Sequence, residues 1–145
     1  IIIILLFLSH CGYTQIYSKL NTQDLNINIL NVSGDIDIKN LFARELGKYK
    51  NLNSEKNYSV EIISTYKKDS LTKDAAGDAT NYRLTLNVDF ITNINSETKI
   101  LKFQEQFDMK KGSTIFEEEK SENFIKQDMV NLIIQKFVSQ IIQIK

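Results

Sequence analysis

Between Tyr82 and Phe90 the side chains alternate without a break. Tyr82, Leu84, Leu86, Val88 and Phe90 fall on one parity, and Arg83, Thr85, Asn87 and Asp89 on the other. Successive strand side chains point to opposite faces, so this segment fits a sheet with one buried and one wet face. Two flanking segments repeat the pattern. Tyr58, Val60, Ile62 and Tyr66, with Ser64 between them, mark one strand. Leu101, Phe103, Phe107 and Met109 mark another, interrupted on that face by Glu105. Glu105 signals either a bulge or a strand at the sheet edge. Asn93-Ile94-Asn95-Ser96 reads as the hairpin turn between the last two strands. Lys68 to Ala79 reads as a longer link ending in a Gly77-Asp78 turn signal. Leu25-Asn26-Ile27-Asn28-Ile29 also alternates and supplies a fourth strand.

The remaining segments carry helical spacing. Ile38, Leu41, Phe42, Leu46 and Tyr49 recur every three or four residues, with Asp35 or Asp37 placed to cap the helix start. At the other end of the chain, Thr114-Ile115-Phe116-Glu117 fits a capping box. Met129, Ile133, Phe137, Ile141 and Ile144 then form one stripe, which Val130, Ile134 and Val138 widen. That width is enough to cover a sheet and still leave apolar surface, either for a partner or for the first helix to bury by flanking it. Glu117, Glu118 and Glu119 sit where negative charge complements the helix dipole, which explains them without an acid/base role. The element order is therefore β-α-β-β-β-α. The expected fold is an α+β two-layer sandwich: a four-stranded, mostly antiparallel sheet with two helices on one face. The outward rows, Arg83 to Asp89 and Lys102, Gln104, Gln106 and Asp108, require water or a polar partner.

The N-terminus has a different character. Ile1 to Leu8 is an unbroken apolar run, followed by Ser9-His10-Cys11-Gly12. It is too short to cross a bilayer, which takes roughly 20 apolar residues, but it suits the apolar core of a secretory signal peptide. Leu8-Ser9-His10-Cys11 resembles a bacterial lipobox, although His10 stands where a small residue is usual. The expected organisation is a truncated lipoprotein signal peptide over 1–10, lipidated Cys11 with a polar leader over 11–24, and a single α+β domain over 25–145.

Charge and composition narrow the function. The 145 residues carry 18 Lys+Arg against 18 Asp+Glu, a formal net charge of +0, which argues against a nucleic-acid binder. The single histidine, His10, lies in the expected signal peptide, and the single cysteine, Cys11, is the residue expected to be lipidated. The body therefore lacks the commonest general base, the thiol nucleophile and the residue sets of zinc sites. No phosphate-binding glycine loop or nucleophile elbow occurs. A non-enzymatic protein without metal or cofactor is expected.

The Cys11-Gly12-Tyr13 start, the strand-helix opening, Gly77-Asp78-Ala79-Thr80-Asn81-Tyr82-Arg83-Leu84 leading into a meander, and Lys126-Gln127-Asp128-Met129 in the closing helix resemble the lipopolysaccharide-assembly lipoprotein family (LptE, also called RlpB). The resemblance covers essentially the whole chain. It implies a lipid-anchored protein on the periplasmic side of the outer membrane, plugging an LptD-type β-barrel and helping to place lipopolysaccharide in the outer leaflet. Gly12 after the cysteine agrees with outer-membrane sorting, and a polar sheet face suits the polar lumen of a wide barrel. The meander should bring Lys67, Lys68, Lys73, Arg83, Lys110 and Lys111 to one end of the domain, beside the start of the last helix. Anions are favoured there. By resemblance, Lys73 and Lys120 match the family's basic residues for lipopolysaccharide contact most nearly. Asp69, Asp74 and Asp78 dilute that patch. Two other classes remain open: an auxiliary lipoprotein of an ABC-type lipid transporter, and a carboxylate-dependent hydrolase, for which no acid pair stands out.

Overall fold

Each strand supplies one apolar row, and the two helices supply the layer that buries it. The computed structural model describes residues 25–144. The elements are β1 (Leu25–Ser33), α1 (Ile36–Gly47), β2 (Lys56–Lys73), β3 (Ala79–Ile94), β4 (Glu97–Lys110) and α2 (Ile115–Gln143). One sheet holds all four strands in the order β1-β2-β3-β4. The β1-β2 pair is parallel, joined across α1, and the other two pairs are antiparallel. This is the expected α+β architecture. The leader, with Cys11 and the lipobox, lies outside the described residues.

The core forms where the alternation places it. Leu84, Leu86, Val88 and Phe90 are buried beside Val60 and Ile62, under Ile38, Phe42 and Leu46 of α1 and the wide stripe of α2. Phe90 is the hub. Its ring stacks on Phe137 at 4.1 Å between centroids and meets Phe42 and Phe103 edge-on at 5.8 and 5.7 Å. α1 therefore fills the extra width of the α2 stripe.

The helix starts follow from side-chain capping. Asp35, not Asp37, caps α1, its carboxylate accepting from the Asp37 and Ile38 backbone N–H groups at 3.0 and 3.3 Å. Thr114 accepts from the Glu117 N–H at 3.2 Å. The return arm of the capping box differs from expectation, because the Glu117 carboxylate takes the Ser113 hydroxyl instead.

One local reading needs correction, and another is decided between its two alternatives. The link expected over Lys68 to Ala79 is mostly strand: β2 continues to Lys73 and pairs with β3 as far as Lys73↔Ala79. No side chain from Lys67 to Lys73 is buried, so the apolar signal stops although the backbone ladder does not. The turn beyond is closed by Asp74, which accepts from the Ala76 and Asp78 N–H groups, both at 2.9 Å. At Glu105 the β3-β4 register runs without a shift, so there is no bulge. Edge position is the cause: β4 borders the sheet, and Glu105 reaches out to Lys136 of α2. The hairpin between them is a two-residue turn on Asn95 and Ser96, both left-handed at φ 53 and 66°, which matches the twist of the paired strands.

Candidate functional site

The meander does bring the basic residues to one end of the sheet, where β2 ends, β3 begins, β4 ends and α2 starts. They do not form one patch. Arg83 sits on the outer face and makes a two-pronged pair with Asp108, at 2.8 and 3.0 Å. Lys67 lies on the same outer face opposite Thr85, and Lys73 stands at the base of the arm turn. Lys68 points the other way, toward α2. Its ammonium lies 2.7 Å from Glu118 and 2.8 Å from Glu122, and 4.4 Å over the Tyr82 ring. Four of the seven basic residues are thus paired or turned away from a common site.

The other three converge. Lys110 and Lys111 at the end of β4 and Lys120 of α2 line an open groove of about 640 Å³. Its apolar side is Phe124 and Ile125; Ser121 and one acid, Glu117, complete the polar side. None of the three ammonium groups has an acid partner among the described residues. The loop between β4 and α2 is packed tightly enough to require a glycine. A Cβ on Gly112 would fall 2.6 Å from the Glu118 backbone nitrogen.

What holds the first turns of α2 on the sheet is largely polar. From Ile115 to Ile125 no residue of the helix is buried. The Tyr66 hydroxyl donates to Glu122 at 2.8 Å. Lys126, almost fully buried, lies 3.4 Å from Asp37 and 3.5 Å from Glu122, with the Tyr66 ring 4.6 Å from its ammonium. Burial pushes the Glu122 carboxyl up, but the hydrogen bonds from Lys68 and Tyr66 outweigh it and hold the group below the usual carboxylate range. Burial, then the hydrogen bond to Glu122, pushes the Tyr66 hydroxyl well up.

A depressed folded-state pKa contributes stability above the unfolded value and loses it as pH falls through the folded value. The Glu122 clamp should therefore be fully present above about pH 4.5 and weaken below it. Amide exchange in residues 115–125 is expected to accelerate over that range more than exchange in 129–141. Glu122→Gln should abolish the difference.

Sequence reading missed Glu118, Glu122, Tyr66 and Lys126 as a network. The spacing of Glu118, Glu122 and Lys126 at i, i+4 and i+8 was the available signal. It also passed over Phe116 and Phe124, which are 73% and 67% exposed. The outer rows of β3 and β4 are polar as expected, with Thr85 facing Gln106, Asn87 facing Gln104 and Asp89 facing Lys102, but toward the hairpin the same face turns apolar at Ile63, Ile91 and Ile100, with Ile63 beside Asp89 and Ile91 opposite Ile100.

The arrangement of sheet and helices has counterparts among solved structures. The rare lipoprotein B from Shewanella oneidensis matches with a TM-score of 0.54 at 16% identity, over 78% of this chain and 96% of its own. The chain shares its fold with that lipoprotein. An uncharacterized lipoprotein B from Nitrosomonas europaea matches at 0.51 and 12% identity, over 81% and 83% of the two chains. A putative lipoprotein from Caulobacter crescentus matches at 0.54 and 10% identity, over 79% and 86%. No protein-family model matches the sequence, and no curated protein matches it. Among the described residues, no helix is long and apolar enough to cross a membrane.

Proposed function

We propose that the protein is an envelope lipoprotein of lipopolysaccharide assembly, anchored through Cys11 to the outer membrane, where it supports an LptD-type β-barrel from within. The observation that carries this reading is the fold shared with rare lipoprotein B across nearly the whole of that protein. Two features of the chain support it. The outward rows of β3 and β4 carry Thr, Asn, Gln and paired charges from Thr85 to Asp89 and from Lys102 to Asp108, which is compatible with the wet lumen of a wide barrel. The lipobox-like Leu8-Ser9-His10-Cys11 supplies an anchor. A binding role also suits a body whose strongest cluster of charged groups is a structural clamp rather than a reactive pair.

Co-expression with the large barrel protein of lipopolysaccharide export from the same genome tests the reading. A one-to-one complex that survives detergent extraction is the expected result. A barrel that folds and works alone, together with recovery of this protein on an inner-membrane ABC transporter, would favour the transporter-auxiliary role instead.

A further inference from the structure

Toward the hairpin, the outer face of the sheet carries an apolar patch inside a polar field. Ile91 of β3 and Ile100 of β4 stand opposite each other, and Ile63 of β2 lies diagonal to Ile91. Ile63 and Ile100 are 44% and 55% exposed, and Ile91 is half-buried. Polar pairs bound the patch along the strands, Asn93 with Thr98 toward the hairpin and Asp89 with Lys102 on the other side. An isoleucine pair across β3 and β4 also strengthens the hairpin. Ile63 is not explained that way, because its neighbours on the adjoining strands are Ser33 and Asp89. Both helices pack on the opposite face, so they leave this patch uncovered.

The chain itself supplies a matching segment. Residues 12–24 lie outside the described residues, and they join the fold at Leu25, which pairs with Lys56 at the hairpin end of the sheet. The leader is polar overall, but Tyr13, Ile16, Tyr17 and Leu20 recur at i, i+3, i+4 and i+7, the spacing of one apolar helix side. The reach is sufficient. Ile91 pairs with Glu61, five residues along β2 from Lys56 and two strands over from β1. At ~3.3 Å per residue and ~4.8 Å per strand, it lies about 20 Å from Leu25. Extended chain spans about 17 Å from Leu25 back to Leu20 and about 27 Å back to Tyr17. We propose that residues 13–20 dock on the outer sheet face, with Ile16 and Leu20 against Ile63, Ile91 and Ile100. Tyr13 and Tyr17 suit the border, where each ring meets isoleucine and each hydroxyl meets a flanking polar pair. A segment this short does not hold a helix alone, so the contact orders it. A tethered segment needs little area because its effective concentration is high. A second copy would bring only the same three isoleucines, well short of what a stable dimer buries. The docking does not depend on the envelope reading. With lipid on Cys11, as that reading has it, only Gly12 separates the anchor from the docked segment, which holds the hairpin end of the domain toward the membrane.

The test is trypsin cleavage after Lys19 in the full-length protein, in a fixed non-ionic detergent, followed by mass spectrometry. Lys19 sits inside the docking segment, and the protease cuts only the released form when docking is fast. Two variants remove the contact from either side. I16S/Y17S changes the leader, leaving the folded domain and the residues around the cut bond as they are. I63T/I91T/I100T changes the patch, with threonine keeping the β preference of the strands. Each should speed cleavage after Lys19 at least about tenfold, while cleavage after Lys50, exposed in the loop behind α1, keeps its wild-type rate. A wild-type rate after Lys19 in either variant overturns the inference. Protection that grows with protein concentration also overturns it, in favour of a second copy on the patch. A photoreactive phenylalanine at Ile100 in living cells gives an independent readout. An internal cross-link to residues 13–20 is expected, and cross-links to another protein with none to the leader would overturn the docking. Co-purification with the barrel keeps the two proposals apart: a complex whose Lys19 is cut as fast as in the variants refutes only the docking, and a protected Lys19 without a complex refutes only the plug.

Discussion

Replacing Phe137 by Ala is expected to lower the unfolding free energy by about 3–5 kcal/mol, read as a drop in the urea midpoint at unchanged slope. Phe137 is fully buried and lies on Phe90 at 4.1 Å with the two rings 10° from parallel. Phe103 meets it edge-on at 6.5 Å. Truncation removes the apolar area of a whole ring and opens a cavity at the contact of α2 with β3 and β4. Neither helix can collapse into it without dragging Phe42 off Phe90. Phe124 on the same helix is the internal control. It is 67% exposed, so Phe124→Ala should stay within about 0.5 kcal/mol of wild type. Equal losses at the two positions would mean that α2 is packed on a different face.

Gly34→Ala should be as damaging, for a different reason. Gly34 has φ +126°, a region closed to L side chains. An added Cβ would also fall 2.3 Å from the Ser64 hydroxyl oxygen and 2.4 Å from the Ser64 carbonyl oxygen. Ser64 cannot retreat, because its residue pairs with Val88 and its hydroxyl donates to the Ser33 carbonyl at 3.0 Å. The chain must leave β1 here, pass close over β2 and turn into the Asp35 cap of α1. A loss of more than about 3 kcal/mol is expected, combining strain with displaced backbone. Gly47→Ala separates this from a general glycine effect. Gly47 is helical and a Cβ there meets nothing within 4 Å, so that variant should be neutral or stabilising by about 0.5–1 kcal/mol.

The fold was legible wherever burial wrote it into the sequence. Tyr82 to Phe90 alternates because one face meets the helices, and the α2 stripe is wide because it meets both the sheet and α1. Legibility failed where structure is held by other means. The arm of β2 beyond Tyr66 is backbone ladder without a core, so Lys67 to Lys73 look like loop. Glu105 looks like an interruption, yet it is an edge residue with a helix partner in Lys136. The site was half legible. Topology placed the basic residues at one end, but a count of lysines cannot tell Lys68, committed to Glu118 and Glu122, from Lys110, Lys111 and Lys120 around a groove. Pairing partners lie 50 and 54 residues away from Lys68. Phe124 lies before the stripe that starts at Met129, and no periodic signal drew attention to it.

The most direct measurement on the proposed role is photo-cross-linking from the outer sheet face in living cells. A photoreactive phenylalanine placed at Asn87 or Gln104, which face each other across β3 and β4, samples the middle of the polar rows without touching the core. Cross-links to the large barrel protein of lipopolysaccharide export are expected from both positions. Cross-links from both positions to inner-membrane transporter subunits, and none to the barrel, would contradict the plug.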